Sequence, residues 1–350
     1  MRIKLIACAI VALGGTSTAW SLDYTVSTLD YPGSTSTTLL GINLFGRVVG
    51  TYSSPDFLGG RGFTERLGVF TPVGDSMPCR PNGRCLTDVF RVNIRGEMAG
   101  TFSADADFPG VFLQSGNTPV IVQPPGYPYT STVLGGLNDR GALAGCYTDD
   151  TGTQQLFVQV ADHFSVVPFG IPGSLGACAT GINNMGQITG YYEDSVTSHG
   201  FLKSAGRIIT IDVPADWGAV LTRPAAINDR GTVVGTYETS DGTTRGFVWT
   251  DGQFSKIEAA EATAFPPIPT ALNNRGEIVG YYGVTSPVYP FSEPRAFTLR
   301  AGTVTTLPVT GASQAMAIND HGQIVGTYTA SGCGNTCTAV HGFLAEPVEE

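Results

Sequence analysis

Hydrophobic and polar residues alternate with a period of two through many short segments of this chain. In residues 207–213, for example, Ile209 and Ile211 occupy alternate positions, and Pro214 ends the run. Short alternating runs bounded by Gly, Pro and Asn are typical of half-buried β-strands joined by tight turns. The pattern therefore predicts an all-β chain with many connections.

The alternation belongs to a repeat of the form Asn-x-x-Gly-x-apolar-x-Gly-x-aromatic. It occurs seven times, at intervals of 45 to 50 residues, and its Asn residues are Asn43, Asn93, Asn138, Asn183, Asn228, Asn273 and Asn319. Asn at the first and Gly at the fourth position favour a type I turn with the Gly in the left-handed conformation. We expect the Asn side chain to cap this turn, the second Gly to allow close backbone approach, and the aromatic residue to pack between repeats.

Each repeat contains four predicted strands. In the central repeat they fall at residues 177–183, 187–192, 199–202 and 207–213. Four strands in about 45 residues, repeated seven times, predict a seven-bladed β-propeller with four antiparallel strands per blade. The last repeat lacks a fourth strand, and residues 24–33 near the N-terminus resemble one. We therefore expect the N-terminal strand to complete the last blade and close the ring, which hides two open sheet edges.

Composition agrees with this architecture and excludes several others. The chain has 46 Gly and 22 Pro among 350 residues, which excludes a helical bundle or coiled coil. A hydrophobic content of 42% excludes intrinsic disorder. The net charge of −10 and the absence of a basic run make nucleic acid an unsuitable partner.

The first 21 residues have the organisation of a secretory signal peptide. Arg2 and Lys4 precede an apolar stretch at 5–13, and Ser17-Thr18-Ala19 provides a small-x-small cleavage site. Removal of this segment would take the net charge from −10 to −12. We expect a secreted or periplasmic protein without membrane insertion, a single propeller domain over 22–346, a short acidic tail at 347–350, and a monomer.

Six cysteines lie outside the predicted signal peptide. We expect them to form disulfides, because an exported protein enters an oxidising compartment. Cys79 and Cys85 flank one turn-forming segment, Cys333 and Cys337 flank another, and Cys146 is left to pair with Cys178. Repeat geometry supports the last pair, since one cysteine ends a second strand and the other begins the next first strand. A zinc site is the alternative for such spacings.

The repeat resembles that of the HAF-repeat extracellular proteins of bacteria. The resemblance rests on residues 181–192, 317–328 and 209–214 and extends over nearly the whole mature chain. The tripeptide that names the family is changed here: His199-Gly200-Phe201 and His341-Gly342-Phe343 have a central Gly, and Arg61, Arg245 and Arg295 replace His elsewhere. The resemblance implies export and a repeat fold, and it implies no activity, cofactor or catalytic residue.

No catalytic motif is recognisable, so the sequence predicts a non-enzyme without a cofactor. The Asn-Asp pairs at the repeat turns, such as Asn228-Asp229, could suggest metal ligands, but turn capping explains them. The second-to-third and fourth-to-first connections emerge on one face and vary most between repeats. Acidic and aromatic side chains there are candidate ligand-binding residues, with Ca²⁺ as an alternative ligand. They are Asp88, Asp105, Asp107, Tyr127, Tyr129, Asp149, Asp150, Glu193, Asp194, Trp217 and Tyr289.

One residue breaks the pattern of the innermost strands. Two residues before the repeat Asn, six repeats carry Gly or Ala and the second repeat carries Arg91. Small residues suit an axis where the strands converge, so a guanidinium there is unexpected. We hypothesise that Arg91 reaches an anionic group of a ligand in the channel mouth. The alternative is an internal ion pair with Asp88.

The sequence therefore predicts a secreted, non-catalytic binding module that presents variable loops to a glycan or protein ligand. Two alternatives stay open. One is an extracellular propeller enzyme acting on glycans, as a hydrolase or lyase. The other is a structural envelope protein that needs no discrete site.

Overall fold

A computed structural model of the chain describes residues 23–56, 59–77, 86–103, 109–126, 131–285, 292–329 and 339–348. The described residues form 28 strands and one short 3₁₀ helix at Ala215–Trp217. The strands follow the repeat, four to a unit, and we number the units 1 to 7 in chain order.

Unit 1 contains β2 (Ser36–Ile42), β3 (Val48–Ser53), β4 (Gly60–Arg66) and β5 (Val69–Val73). Unit 2 contains β6 (Leu86–Val92), β7 (Met98–Ser103), β8 (Pro109–Ser115) and β9 (Thr118–Val122). Unit 3 contains β10 (Thr132–Leu137), β11 (Ala142–Thr148), β12 (Gln154–Val160) and β13 (His163–Val166). Unit 4 contains β14 (Gly176–Ile182), β15 (Ile188–Glu193), β16 (Ser198–Ser204) and β17 (Arg207–Ile211).

Unit 5 contains β18 (Ala219–Ile227), β19 (Val233–Thr239), β20 (Thr244–Thr250) and β21 (Gln253–Lys256). Unit 6 contains β22 (Phe265–Leu272), β23 (Ile278–Thr285), β24 (Ser292–Arg300) and β25 (Thr303–Thr306). Unit 7 combines β26 (Ala312–Ile318), β27 (Ile324–Thr329) and β28 (His341–Pro347) with β1 (Tyr24–Thr28).

The sheets form a β-propeller arrangement, but they are not seven separate four-stranded blades as the sequence predicted. Five sheets have four strands each, and the strands of units 3 and 4 form one eight-stranded sheet. These two units join where Gln154, at the start of β12, pairs in parallel with Gly176, at the start of β14. The physical reason is the close approach of these two strand ends at the boundary between the units.

The predicted disulfide between Cys146 and Cys178 is present at this same boundary. It joins β11 to β14, with the two Cα atoms 4.9 Å apart. Both cysteines are buried, so the covalent link lies inside the contact between units 3 and 4. The pairs predicted for Cys79 with Cys85 and for Cys333 with Cys337 lie outside the described residues.

The N-terminal strand completes the sheet of unit 7. β1 pairs antiparallel with β28, from Tyr24 opposite Pro347 to Thr28 opposite Phe343. The side chain of Asp30 then accepts a hydrogen bond from the backbone N–H of Gly342 and lies 2.7 Å from Nδ1 of His341. These contacts join the two ends of the chain and leave no unpaired β28 edge beside the last unit.

The repeat asparagines cap their turns, as predicted, and also form a ring. In each unit the Asn Oδ1 accepts hydrogen bonds from the backbone N–H groups two and four residues later, as Asn183 does from Met185 and Gln187. Each Asn Nδ2 donates to the backbone carbonyl of the Asn in the next unit, at 2.9–3.1 Å. Seven such bonds close the circle, from Asn43 to Asn93 and onward until Asn319 donates to Asn43.

The hydrophobic core lies in the contacts between neighbouring units, as predicted from the repeated aromatic residue. One cluster packs Ala144 and Leu156 of unit 3 against Tyr192 and Phe201 of unit 4. The second repeat Gly allows the close approach of β14 and β15 within unit 4, as predicted. A Cβ at Gly190 would lie 2.0 Å from the carbonyl oxygen of Cys178, so only Gly fits there.

The strand directions give the ring two distinct faces. The Asn turns and the third-to-fourth connections lie on one side, which we call the turn face. The second-to-third and fourth-to-first connections lie on the other, which we call the loop face. Within the described ranges, no helix has the length and apolar character needed to cross a bilayer.

Candidate functional site

An axial cavity of about 270 Å³ lies where the first strands of all seven units converge. Its lining runs from three residues before each repeat Asn to one residue after it. The cavity is therefore at the turn-face end of the first strands, and none of the candidate residues from the variable loops contributes to it. Its lining includes Gly or Ala from six of the seven units, together with Leu, Ile and repeat Asn residues.

The rim of this cavity carries a hydrogen-bonded arc of alternating Asp and Asn side chains. These residues follow the repeat Asn directly and are Asp139, Asn184, Asp229, Asn274 and Asp320. The Nδ2 of Asn184, for example, donates to Oδ2 of Asp139 at 2.9 Å and to Oδ2 of Asp229 at 3.0 Å. Leu44 and Ile94 occupy the two equivalent positions outside the arc. The carboxylates here hold neighbouring turns together.

Arg91 lies in the axial cavity and is not paired with Asp88. Its Nη1 donates to the carbonyl oxygen of Phe90 at 3.2 Å, and the described residues place no carboxylate within 4.0 Å of the guanidinium. Asp88 instead accepts a 2.7 Å hydrogen bond from the hydroxyl of Thr51 in unit 1. Because β6 runs toward the turn face, Arg91 lies near the Asp–Asn arc, away from the variable loops with which the sequence grouped it.

Burial changes the electrostatics of Arg91. The surrounding protein desolvates the guanidinium and lowers its pKa from the ordinary value. The side chain still keeps partial exposure, because it projects into the axial cavity. An arginine stays charged in proteins, so this is a cation with several unused N–H donors.

A larger groove of about 790 Å³ opens on the loop face between units 5 and 6. Three connections build it: the 3₁₀ helix that ends at Trp217, the 240–243 turn between β19 and β20, and the 257–264 connection into β22. Its charged residues are Asp241, Arg245, Lys256 and Glu258. They balance, so the groove is polar without net charge on a chain that is strongly acidic overall.

Trp217 forms one wall of the loop-face groove. The ring packs on Tyr237 and Phe254, with ring centres 5.8 and 6.3 Å apart, and the Lys256 ammonium lies 4.8 Å from its centre. Among the described residues its indole N–H has no acceptor. Burial raises the pKa of Tyr237, which also lines the groove, so that phenol stays protonated at neutral pH.

Asp241 is a permanently ionised acceptor in the same groove. Its Oδ1 accepts from the hydroxyl of Thr239 at 2.6 Å and from the backbone N–H of Thr243 at 3.0 Å. These hydrogen bonds lower the pKa of Asp241 to about 2. The Thr243 hydroxyl adds a further hydrogen bond to this carboxylate. Asp241 is exposed, so a ligand hydroxyl can reach it.

The other predicted loop residues do not gather into one site. Asp149 caps its own turn, and the Thr151 hydroxyl is the main cause of its lowered pKa. Asp150 is exposed beside it. Glu193 lies 3.9 Å from Arg223, and Asp194 accepts from the backbone N–H groups of Val196 and Thr197, which lower its pKa.

Five candidate residues have no described position. They are Asp105, Asp107, Tyr127, Tyr129 and Tyr289. Among the predicted loop residues whose positions are described, Trp217 is the one that lines the groove. The sequence analysis did not find Arg245, Lys256 and Glu258, which line the groove with Trp217. They lie on different segments of the chain, and no local sequence pattern shows that these segments are close in space.

His199 is held between two carboxylates on the loop face. Its Nδ1 lies 2.8 Å from Asp212 and its Nε2 lies 3.2 Å from Asp194. Burial of the ring lowers the pKa of His199, but the hydrogen bonds and charges of Asp212 and Asp194 outweigh this and raise it overall. Both nitrogens are occupied, so this imidazole is not paired with a nucleophile. In the described ranges, no group of three or more His, Cys, Asp or Glu side chains has the arrangement of a metal site.

Comparisons with known proteins identify the fold and nothing finer. No protein-family model matches the chain, and no curated protein sequence matches it. A Mycobacterium tuberculosis puromycin-hydrolyzing peptidase has a similar structure, with a TM-score of 0.54 and 13% identity over 88% of this chain and 52% of the peptidase. A structure from a study of two prolyl endopeptidases gives the same score and identity over 88% and 46%.

A lectin from Aleuria aurantia, in complex with a fucosylated sugar, matches less closely. Its TM-score is 0.42 at 10% identity, over 81% of this chain and 98% of the lectin. The present chain spans about half the length of the peptidases that it matches. At these identities the similarity to the two peptidases concerns the fold alone and carries no assignment of activity.

Proposed function

We propose that this protein is a secreted, non-catalytic binding module whose loop-face groove takes a glycan. One observation carries the proposal: the groove of about 790 Å³ combines an indole wall with balanced positive and negative groups. Its volume lies within the range of small-molecule binding sites. Export and membership of the HAF-repeat group are parts of the same proposal and follow from the N-terminal segment and the repeat.

A neutral polyhydroxylated ligand fits the chemistry of this groove. A sugar hydroxyl both donates and accepts hydrogen bonds. Arg245 and Lys256 supply donors, and Asp241 and Glu258 supply acceptors. The two carboxylates would repel an anionic polymer, and the two basic groups would repel a cationic polymer. An uncharged saccharide avoids both repulsions.

We further propose that the eight-stranded sheet acts as two blades, so that the ring has seven. Each half is a four-stranded meander of the same order as the other units, and a single residue pair joins them. The closed ring of seven Asn side chains supports equal spacing of the seven units around the axis.

The test is a glycan array followed by calorimetric titration of the purified chain with the best sugar. Arg245→Gln and Glu258→Gln remove one donor and one acceptor from exposed positions, and each should weaken binding about tenfold or more. Trp217→Phe retains an aromatic ring but removes the indole N–H. Arg207→Gln and Asp162→Asn are matched controls on exposed turn-face positions and should bind like the parent.

If no sugar on the array binds, but a protein partner binds and Glu258→Gln weakens that binding, the ligand of the groove is a protein. Binding that none of the groove substitutions changes would overturn the proposal. Absence of every ligand would instead favour the structural envelope role.

A propeller enzyme acting on glycans is the second candidate, because two carboxylates line the groove. Hydrolysis with acid catalysis needs one carboxyl group that stays protonated at working pH. The pKa of Asp241 is lowered to about 2, which leaves Glu258 as the remaining acid in the groove. The test is whether the protein releases new reducing ends from a bound oligosaccharide and whether Glu258→Gln abolishes this release. Such a result would establish the activity and contradict the non-catalytic interpretation.

A further inference from the structure

Arg91 is the one cation among the seven residues that form the innermost ring of the axial cavity. The equivalent positions are occupied by Gly41, Gly136, Gly181, Ala226, Ala271 and Ala317. Six small side chains leave the space in front of the guanidinium unfilled. Arg91 is therefore the one long polar side chain at this position of the ring.

The guanidinium has unused hydrogen-bonding capacity. It has five N–H donors, and one contact with a protein acceptor is present, from Nη1 to the carbonyl oxygen of Phe90. The nearest candidate counter-ion in the sequence, Asp88, is bound to Thr51 instead. A desolvated cation without a paired anion is costly, because burial removes hydration that only an anion or several acceptors replace.

The carboxylates on the cavity rim do not neutralise it. Asp139 accepts from the backbone N–H of Ile94 and from Asn184, and Asp229 accepts from Asn184 and Asn274. Asp320 likewise accepts from the backbone and side-chain N–H groups of Asn274. All three are held within the arc, and none comes within ion-pair distance of Arg91.

Exposed basic side chains lie on the turns around the same mouth. The third position of the repeat turn is Arg95, Arg140, Arg230, Arg275 and His321 in five units, and all five are exposed. Arg95 and Arg275 pair with Glu97 and Glu277, and no acidic partner lies within ion-pair distance of Arg140 or Arg230 in the described chain. An anion that approaches the turn face therefore encounters basic side chains that lie outside the three carboxylates of the cavity rim.

We propose that the axial cavity binds the carboxylate of a small organic acid, held by the Arg91 guanidinium. A guanidinium fork matches the two oxygens of a carboxylate. The cavity volume of about 270 Å³ corresponds to roughly nine water molecules at ~30 Å³ each, which suits a small acid. This site is separate from the loop-face groove, so either proposal can fail without the other.

The experiment measures thermal unfolding of the purified chain with acetate, citrate, glutamate and inorganic phosphate. Sodium chloride at matched ionic strength is the reference, because it removes general screening effects. A carboxylate should raise the unfolding midpoint saturably, and titration calorimetry should give one site per chain. A response to phosphate that exceeds every carboxylate would overturn the assignment of the carboxylate class.

Two variants connect the response to Arg91. Arg91→Ala restores the small residue found in the other six units, so it should fold at least as stably as the parent without ligand. Its affinity for the acid should fall about tenfold or more. Arg91→Lys keeps the charge but loses the fork, and its affinity should be intermediate. Arg207→Ala, on an exposed turn-face position, is the matched control and should leave the affinity unchanged.

Two further results with ligand would overturn the proposal. One is the absence of any saturable shift beyond that of chloride in the parent chain. The other is an equal shift in Arg91→Ala, which would place the anion at another site. A loss of stability in Arg91→Ala without ligand, checked by circular dichroism, would show a structural role for the arginine and would also contradict the argument.

Discussion

The side-chain amide of Asn319 donates a 3.0 Å hydrogen bond to the backbone carbonyl of Asn43, although 276 residues separate them in the chain. This bond is the last of seven that link each repeat turn to the next. Each one uses a buried donor and a buried acceptor, so it satisfies two groups that water cannot reach. The same Asn that caps a local turn therefore also holds neighbouring units at a fixed distance around the axis.

Asn183→Ala should lower the free energy of unfolding by about 2–4 kcal/mol, because the substitution leaves several buried groups without partners. The side chain accepts from Met185 and Gln187 and donates to Gln187 and Asn228. Urea denaturation measures the effect. Met185→Ala, at an exposed position of the same turn, is the control and should differ from the parent by less than about 0.5 kcal/mol. Equal stability of the two variants would refute the role of the ring.

Gly190→Ala should destabilise the chain by about 3 kcal/mol or more, since the new Cβ would lie 2.0 Å from a backbone oxygen. Backbone cannot move aside as cheaply as a flexible side chain. Gly170 offers a matched control, because a Cβ there meets nothing within 4 Å. Gly170→Ala should be neutral or slightly stabilising. Chemical denaturation of both variants decides the comparison, and a neutral Gly190→Ala would contradict it.

Replacement of Cys146 and Cys178 together by Ala should lower stability by about 3–4 kcal/mol, because the disulfide closes a loop across a separation of 32 residues. The measurement is urea unfolding of the double variant beside the parent under oxidising conditions. The parent with reductant should move toward the double variant. A difference of less than about 1 kcal/mol would show that the contacts between units 3 and 4 hold this boundary without the covalent link.

His199 should make stability depend on pH in a defined direction. Its pKa is raised in the folded chain, so its contribution is complete below the unfolded value of about 6.5 and is lost as pH rises through the folded value. The stability difference between the parent and His199→Gln should therefore be larger at about pH 5.5 than at about pH 8.5.

The matched control for this measurement is His163→Gln. His163 is exposed, and in the described structure it has no ion-pair partner. The control should show the same difference from the parent at both pH values. A His199→Gln curve parallel to the parent curve would mean that the contacts with Asp194 and Asp212 do not favour the charged imidazole.

The candidate site residues show what could and could not be predicted from the sequence. Trp217 was found because an aromatic residue in a variable connection is visible in the sequence, and it does line the loop-face groove. Arg91 was found because it breaks a repeated column, and the alternative of an ion pair with Asp88 is not present. Asp149 and Asp194 were selected for their charge, and the structure uses both to cap turns. A carboxylate that caps its own loop and one that awaits a ligand look the same in sequence.

The strands, the turns and the repeat could be predicted from the sequence, because side-chain alternation and Asn–Gly turn chemistry act over a few residues. The Cys146–Cys178 pair could be predicted from cysteine spacing and repeat geometry. Tertiary packing decided which repeat asparagine meets which carbonyl and that units 3 and 4 share a sheet. It also decided that Arg91 faces an axial cavity and that Arg245 and Glu258 join Trp217. These relationships depend on groups that meet across unit boundaries, where packing and hydrogen-bond geometry set the distances.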